Sequence, residues 1–319
     1  MIGACPRCQS PTEAGDLRCP VCAQPLPRAA GEVGKVVAQV LRCDGCGAAL
    51  QYDVRVQAPK CAFCGSVAHL EQSEDPLEEA EAYLPFAVDP DSARRAVKNW
   101  LGTLGFFRPS DLQSASSIDS LTPLWWVGWT FDVDTQVSWA ADSEVGAGRS
   151  AWAPHAGQGR LRLQSSLVSA SRGLEDWETA QLAVHFDLRT AQPQPHEMHG
   201  AMIERFDVQR SAARQRIGMA LRKQAEAQAK EWVPGVRTRN LHVALLPTRL
   251  TTRRYAFPTY VMAYKYQDKV YRALVHGQNG NVCFGKAPYS WLKIFGVAAA
   301  VVLAILIIVG IVIAIGKAS

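Results

Sequence analysis

Eight of the nine cysteines in this chain fall into four Cys-x-x-Cys pairs: Cys5/Cys8, Cys19/Cys22, Cys43/Cys46 and Cys61/Cys64. Thiolates at that spacing are metal ligands. A tight turn across two intervening residues aims both sulfurs at one point, and two such turns complete a tetrahedron with metal–sulfur bonds of ~2.3 Å. Taken in chain order, the pairs predict two four-cysteine zinc ribbons, each holding one structural Zn2+. Four thiolates leave no open position for water, so Lewis-acid hydrolysis is disfavoured. Disulfides are the competing use of paired cysteines. The opening MIGACPRC lacks a basic start followed by an apolar run, so secretion is not expected and a reducing compartment is. A redox Cys-x-x-Cys ordinarily occurs singly beside a βαβ unit.

The two ribbons differ in detail. Gly47 and Gly65 follow the pairs of the second, where a positive φ lets the turn leave the metal. Gln9 and Ala23 occupy those positions in the first, which predicts less regular turns there. Between the second ribbon's pairs, Leu50, Tyr52, Val54 and Val56 alternate with mostly polar neighbours, as in a strand. Cys283, in GNVCFG, has no sequence partner and reads as a small buried hydrophobe.

The elements around the cysteines predict an α+β chain. Ribbon 1 covers residues 1–27, a Pro/Gly-containing linker 28–40, and ribbon 2 residues 41–70. Residues 71–82 carry six acids and no base, and read as a solvated spacer. A mixed α+β domain follows over 83–290. Within it a helix is predicted over Ser92–Leu101, with Ala93, Ala96, Val97 and Trp100 on one face. A strand follows with Phe131, Val133 and Val137 on one side. Trp125, Trp126, Trp129 and Trp139 read as core. A long helix runs from Val208 to Trp232 and stops at Pro234-Gly235, with Val208, Ala212, Met219 and Ala220 among its apolar residues. Gly157 and Gly159 read as turn glycines, and Asn279-Gly280 carries a hairpin signal.

Residues Ile294–Ile315 contain no polar or charged side chain. At ~1.5 Å per residue they match a hydrocarbon core of about 30 Å, flanked by Trp291, Lys293 and Lys317 as interfacial anchors. One transmembrane helix is therefore expected, in the cell's inner or plasma membrane, with the N-terminal bulk in the cytoplasm where thiolate zinc sites are favoured.

The formal net charge of +5 over 319 residues permits an anionic partner without requiring one. Basic residues concentrate between Arg205 and Arg254. A solvated face is the plain reading; anionic lipid headgroups or nucleic acid are the alternatives. His196-Glu197-Met198-His199 is not the helical HExxH motif and reads as a loop. With no catalytic constellation or phosphate loop in view, the sequence points away from an enzyme.

Several stretches resemble a family of poorly characterised bacterial membrane proteins with N-terminal zinc ribbons, some labelled helicase- or primosome-like. They are YLPFAV (83–88), FRPSDL (107–112), LTPLWWVGWTFD (121–132), LVSASRGL (167–174), LHVALLP (241–247) and YRALVHGQNGNVCFGKAPYS (271–290). Trp125-Trp126 and His276 depart from that pattern. Relatives are linked to SPFH (flotillin-like) and phage-shock-type membrane-stress proteins. The resemblance implies protein partners of that kind and a recruiting or scaffolding role at the cytoplasmic face, with a membrane-tethered nucleic-acid binder as the alternative.

Overall fold

The computed structural model describes residues 3–13, 16, 19, 22, 24–26, 38–46, 48–51, 61, 65–73, 78–145, 151–195, 200–267 and 269–318. Cys64, Ala23, Gly47, Tyr52, Val54, Val56, most of the 28–40 linker and the His196–His199 stretch lie outside them.

In chain order the elements are β1 (Gly3–Ala4), β2 (Pro11–Thr12), β3 (Ala38–Cys43), β4 (Ala49–Gln51), β5 (Ala68–Ser73), β6 (Ala82–Tyr83), α1 (Pro90–Thr103), α2 (Leu112–Ala115), β7 (Ser117–Ser143), β8 (Ala153–Ser169), α3 (Asp176–Ala183), β9 (Met202–Ile203), α4 (Arg210–Trp232), β10 (Thr238–Tyr266), β11 (Lys269–His276), β12 (Cys283–Gly285) and α5 (Trp291–Ala318). The chain is mixed α+β. It divides into two compact units: residues 1–86 with 124–258, and residues 87–123 with 259–319. The long strands β7 and β10 each contribute to both.

The first unit is built on β7. From Phe131 to Ala141 its side chains alternate between buried and partly exposed, and Phe131, Val133, Val137 and Trp139 enter the core as the period of two predicts. From Pro123 to Thr130 both faces are buried. β8 pairs antiparallel with β7, with a bulge where Asp132 faces two residues; Ser165 takes a φ of 49° there and its N–H donates to Asp132 Oδ1 at 2.8 Å. All four tryptophans of 125–139 are core residues. The indole N–H of Trp125 donates to Leu84 O at 2.9 Å, and that of Trp129 to Val208 O at 2.8 Å, so neither ring leaves a donor stranded.

α4 covers this sheet through a different stripe from the one its larger apolar residues suggest. The buried positions are Ala213, Arg214, Ile217, Leu221, Ala225 and Ala229, whereas Ala212, Met219 and Ala220 face outward. The stripe has the four-residue helical spacing but is mostly alanine, so hydropathy marks it only faintly. Small side chains let the helix approach closely. Gly157 and Gly159 are likewise not turn glycines. They sit inside β8, where a Cβ on Gly157 would meet the Trp139 ring at 2.7 Å and one on Gly159 the Trp232 ring at 2.2 Å. Bare backbone at these two positions makes room for two indoles.

In the second unit, β10 and β11 pair from Thr259↔His276 to Tyr266↔Lys269, and β12 adds beside β11. α1 buries Ala93, Val97 and Leu101. Its start is capped by Asp89, which accepts from the N–H groups of Asp91 and Ser92, with Pro90 in the first turn. The Asn279-Gly280 loop does join an antiparallel pair, β11 and β12, as its hairpin signal suggests, but it is longer than a two-residue turn. Residues 277–282 make a longer connection, organised by buried His276, whose Nδ1 accepts from the backbone N–H groups of Gln278 and Asn279 at 3.0 Å each. Burial pushes the Cys283 thiol up to about 12, which keeps it protonated and unreactive at neutral pH. α5 follows. Its first 19 residues, Trp291–Val309, are long and apolar enough to cross a membrane, and none is buried.

Candidate metal centres

Each Cys-x-x-Cys turn is built in the same way. The N–H of the first cysteine donates to the carbonyl five residues on: Cys5 to Ser10 (2.9 Å), Cys19 to Gln24 (2.8 Å), Cys43 to Ala48 (3.0 Å) and Cys61 to Ser66 (2.8 Å). Where the next donor is described, the N–H four residues on returns to the first cysteine's carbonyl, Gln9 to Cys5 at 2.9 Å and Gly65 to Cys61 at 2.8 Å. Backbone N–H groups also reach the sulfurs, from Arg7 to Cys5 Sγ at 3.4 Å and from Gly45 to Cys43 Sγ at 3.3 Å. Such donors stabilise negative charge on sulfur, which a metal-bound thiolate needs.

The turns bring the sulfurs together. The Sγ atoms of Cys5, Cys8, Cys19 and Cys22 all lie within 4.8 Å of one another, and so do those of Cys43, Cys46 and Cys61. Cys5–Cys22 are 3.6 Å apart, Cys8–Cys19 3.5 Å and Cys46–Cys61 3.5 Å. A tetrahedron with ~2.3 Å bonds has edges of about 3.8 Å, and a disulfide would need about 2.05 Å. The spacing fits ligands around one ion, and both clusters could hold a metal. Cys64, the expected fourth ligand of the second cluster, lies outside the described residues. In the first cluster Ser10 Oγ is 3.2 Å from Cys8 Sγ, and Ser10's hydroxyl and backbone bring the Cys8 thiol down to about 6.

At the one position described in both clusters, the first cluster's turn closes as the second's does. Gln9 adopts the left-handed φ of 59° that Gly65 adopts at 73° in the second cluster. A side chain in that region carries a penalty of roughly 1–2 kcal/mol that glycine escapes. Gln9→Gly should therefore stabilise the metal-loaded protein by about 1 kcal/mol. A thermal melt reads this directly, and a lower midpoint would refute it.

Both clusters are seated on the first unit by charge. Asp16 and Glu13, in the loop between the first cluster's pairs, grip Arg214 of α4, and Glu13 Oε1 also accepts from the Thr252 N–H at 2.6 Å. The Arg214 and Asp16 side chains are each only 3% exposed. On the second cluster's sheet, Arg42 donates to Asp207 at 2.8 Å and to Glu71 at 2.6 Å, and the Arg205 N–H donates to Ala49 O at 2.9 Å. Arg172 adds a 2.6 Å pair to the same Asp207.

The acidic stretch is no free spacer at its described end. Glu78 pairs with Arg210 (2.7 Å) and Arg254 (2.8 Å), Glu79 with Arg205, and Glu81 with Arg254 (3.2 Å). Arg237 and Arg239 pair with Glu144 and Asp142. Arg205, Arg210, Arg214, Arg237, Arg239 and Arg254 thus all have carboxylate partners, so much of the basic region between 205 and 254 is neutralised within the fold.

One residue beside this seam carried no sequence signal. Glu204 follows β9, its N–H donates to Trp125 O at 2.9 Å, and its side chain is completely buried with neither carboxylate oxygen in a hydrogen bond. Burial, with lesser contributions from the charges of Asp207 and Cys46, raises its pKa well above the usual 4.5, which favours the protonated form in the fold. Unfolding near neutral pH must release that proton. Glu204 therefore loses stability for the fold as pH rises from about 4.5 toward its raised value. Glu204→Gln should gain stability over the parent as pH goes from 5 to 8, measured by paired melts. Parallel pH profiles for the two proteins would contradict a buried neutral carboxyl.

No protein-family model matches this chain, and no curated protein or solved structure matches it either.

Proposed function

We propose that this chain is a membrane-anchored adaptor. It lies with its N-terminal bulk in the cytoplasm, and its two zinc-stabilised ribbons dock protein partners. The observation that carries the reading is α5, an apolar helix of membrane-crossing length in which no residue from Trp291 to Val309 is buried. Nineteen residues at ~1.5 Å reach about 28 Å, close to the hydrocarbon thickness, and such a surface is not stable in water.

The clusters support the rest. Sulfur-only ligand sets suit zinc and a reducing compartment. Four ligands held by closed turns build shape rather than chemistry. The surface site lined by Asp132, Asp134, Arg162 and Arg249 offers no poised acid or base: Asp134 pairs with Arg162 at 2.5 Å and Asp132 caps the bulge. A scaffolding role is the better fit, with SPFH or phage-shock-type proteins as the candidate partners. A tethered nucleic-acid binder draws less support, because so many arginines of the basic region face carboxylates of the same chain.

Fractionation with metal analysis and affinity capture tests the proposal. The full chain should sediment with membranes and carry two zinc ions. It should also retain partners that the double variant Cys43→Ser/Cys46→Ser loses. Soluble recovery, or an unchanged partner set in that variant, would remove the adaptor reading. Salt-sensitive binding of DNA or RNA would favour the alternative.

A further inference from the structure

The second unit leaves an adjacent pair of phenylalanines exposed. In the turn between α1 and α2, Phe106 is 67% exposed and Phe107 44%, their rings meeting edge to face at 5.6 Å. This turn is fastened to the start of α5. The Ser290 N–H donates to Phe107 O at 2.8 Å, and Lys293 Nζ donates to Arg108 O at 2.8 Å. The Arg108 guanidinium lies 3.7 Å from the Tyr289 ring centre and donates to Ala287 O. Lys293 Nζ lies 5.3 Å from the Phe106 ring centre. Beside these contacts, on the same unit, is a groove of about 570 Å3 lined by Tyr266, Lys269, Tyr271, Tyr289, Trp291 and Lys293, among others.

We propose that the Phe106–Phe107 turn is a second membrane-contacting element, inserted at the headgroup–acyl boundary beside α5, and that the groove receives the headgroup of an anionic phospholipid. The proposal rests on reading α5 as a membrane span. If Trp291 and Leu292 stand at the interface, the hydrogen bonds from Ser290 and Lys293 hold the turn at that same level. Two exposed aromatic rings at that depth meet lipid, for which aromatic side chains at the interface are suited. The groove then opens among headgroups. Lys269 and Lys293 supply cations for a phosphate and the tyrosine rings supply apolar walls, while the one carboxylate in the lining, Asp111, is taken up by the Tyr266 hydroxyl, which donates to its Oδ1 at 2.9 Å. Within the second unit, this surface is where charge and apolar exposure coincide next to α5.

Site-specific photo-crosslinking separates the outcomes. Full-length protein carrying Phe106→p-benzoylphenylalanine, or in parallel Phe107→p-benzoylphenylalanine, is reconstituted in bilayers of equimolar phosphatidylethanolamine and phosphatidylglycerol. A third protein carries the probe at Val302, within α5. After irradiation, mass spectrometry should find lipid adducts at 106 or 107 as well as at 302. Phosphatidylglycerol should be severalfold enriched at the turn relative to 302, and Lys269→Gln should reduce that enrichment. Adducts at 302 with none at 106 or 107, or protein–protein adducts there instead, would overturn the inserted turn while leaving the membrane span intact. Equal lipid ratios at both depths would overturn the headgroup site. Absence of adducts at 302 would remove the membrane span itself and the inference with it.

Discussion

Replacing Arg214 by alanine should destabilise the first unit by roughly 3–5 kcal/mol, the magnitude associated with breaking a buried ion pair from one side. The guanidinium is almost wholly enclosed and faces two carboxylates of the first cluster's loop, Glu13 and Asp16, and also donates to Thr252 Oγ1 at 3.1 Å. Removing it leaves Asp16, itself 3% exposed, without this partner. Arg210 compensates only in part, since its pair with Asp16 is long at 3.9 Å and it is already engaged with Glu78 at 2.7 Å. The loop must then either hold a desolvated charge or pull away from α4. A double variant, Arg214→Met with Asp16→Asn, tests the cause: removing both charges should recover much of the loss, because an apolar isostere without a stranded partner is often tolerated. Chemical denaturation of the full chain in detergent reads both proteins. A loss below about 1 kcal/mol in Arg214→Ala would mean that the pair behaves like an exposed one.

Stripping the metal should lower the stability of the whole first unit, not merely melt two small appendages. Four-thiolate units of this size draw most of their folding free energy from the ion, with ~10–16 kcal/mol typical of isolated zinc peptides near neutral pH. Here each cluster is tied into the larger core. Glu13 and Asp16 hold α4 and β10, Arg42 holds Asp207, and Ala49 O accepts from Arg205. If about 4 kcal/mol of the metal's contribution passes through these ties, the main thermal midpoint falls by roughly 8–16 °C. A strong chelator combined with calorimetry, followed through the buried tryptophans on β7, makes the measurement. A tryptophan transition that stays in place while only the clusters lose metal would show that the ties transmit little. Restoring zinc should restore the midpoint.

Much of this is visible in the sequence because its signals are local. The Cys-x-x-Cys spacing encodes a turn, and the turn sets the distance between its own two sulfurs, so pairs can be read without a fold. The strand around Phe131–Val137 announces itself by period two. α5 is legible because every position from Ile294 to Ile315 is apolar, which needs no knowledge of neighbours. The stop of α4 was likewise signalled by Pro234-Gly235.

What the sequence obscures depends on partners distant along the chain. The stripe of α4 is alanine-rich, and alanine is chosen there by the closeness of a sheet that hydropathy cannot see. Gly157 and Gly159 look like turn residues until Trp139 and Trp232 lie over them. The Asn279-Gly280 hairpin forms, but its loop is lengthened around His276, whose ring nitrogen accepts from the loop's backbone. Gln9 takes a glycine's conformation because its turn is closed by the hydrogen bonds around Cys5. The acidic and basic stretches read as separate solvated segments, yet Glu78, Glu79 and Glu81 meet arginines more than a hundred positions away. Electrostatic pairing of this kind is set by where the backbone returns, and composition carries no record of it. The sequence by itself therefore determined the ligand types, their pairing within each turn and the apolar terminal helix. Only the tertiary structure decided that the first cluster's loop is clamped by a buried arginine, that Glu204 is sealed beside the second, and that two phenylalanines stand at the foot of α5, because each follows from contacts between residues far apart in the chain.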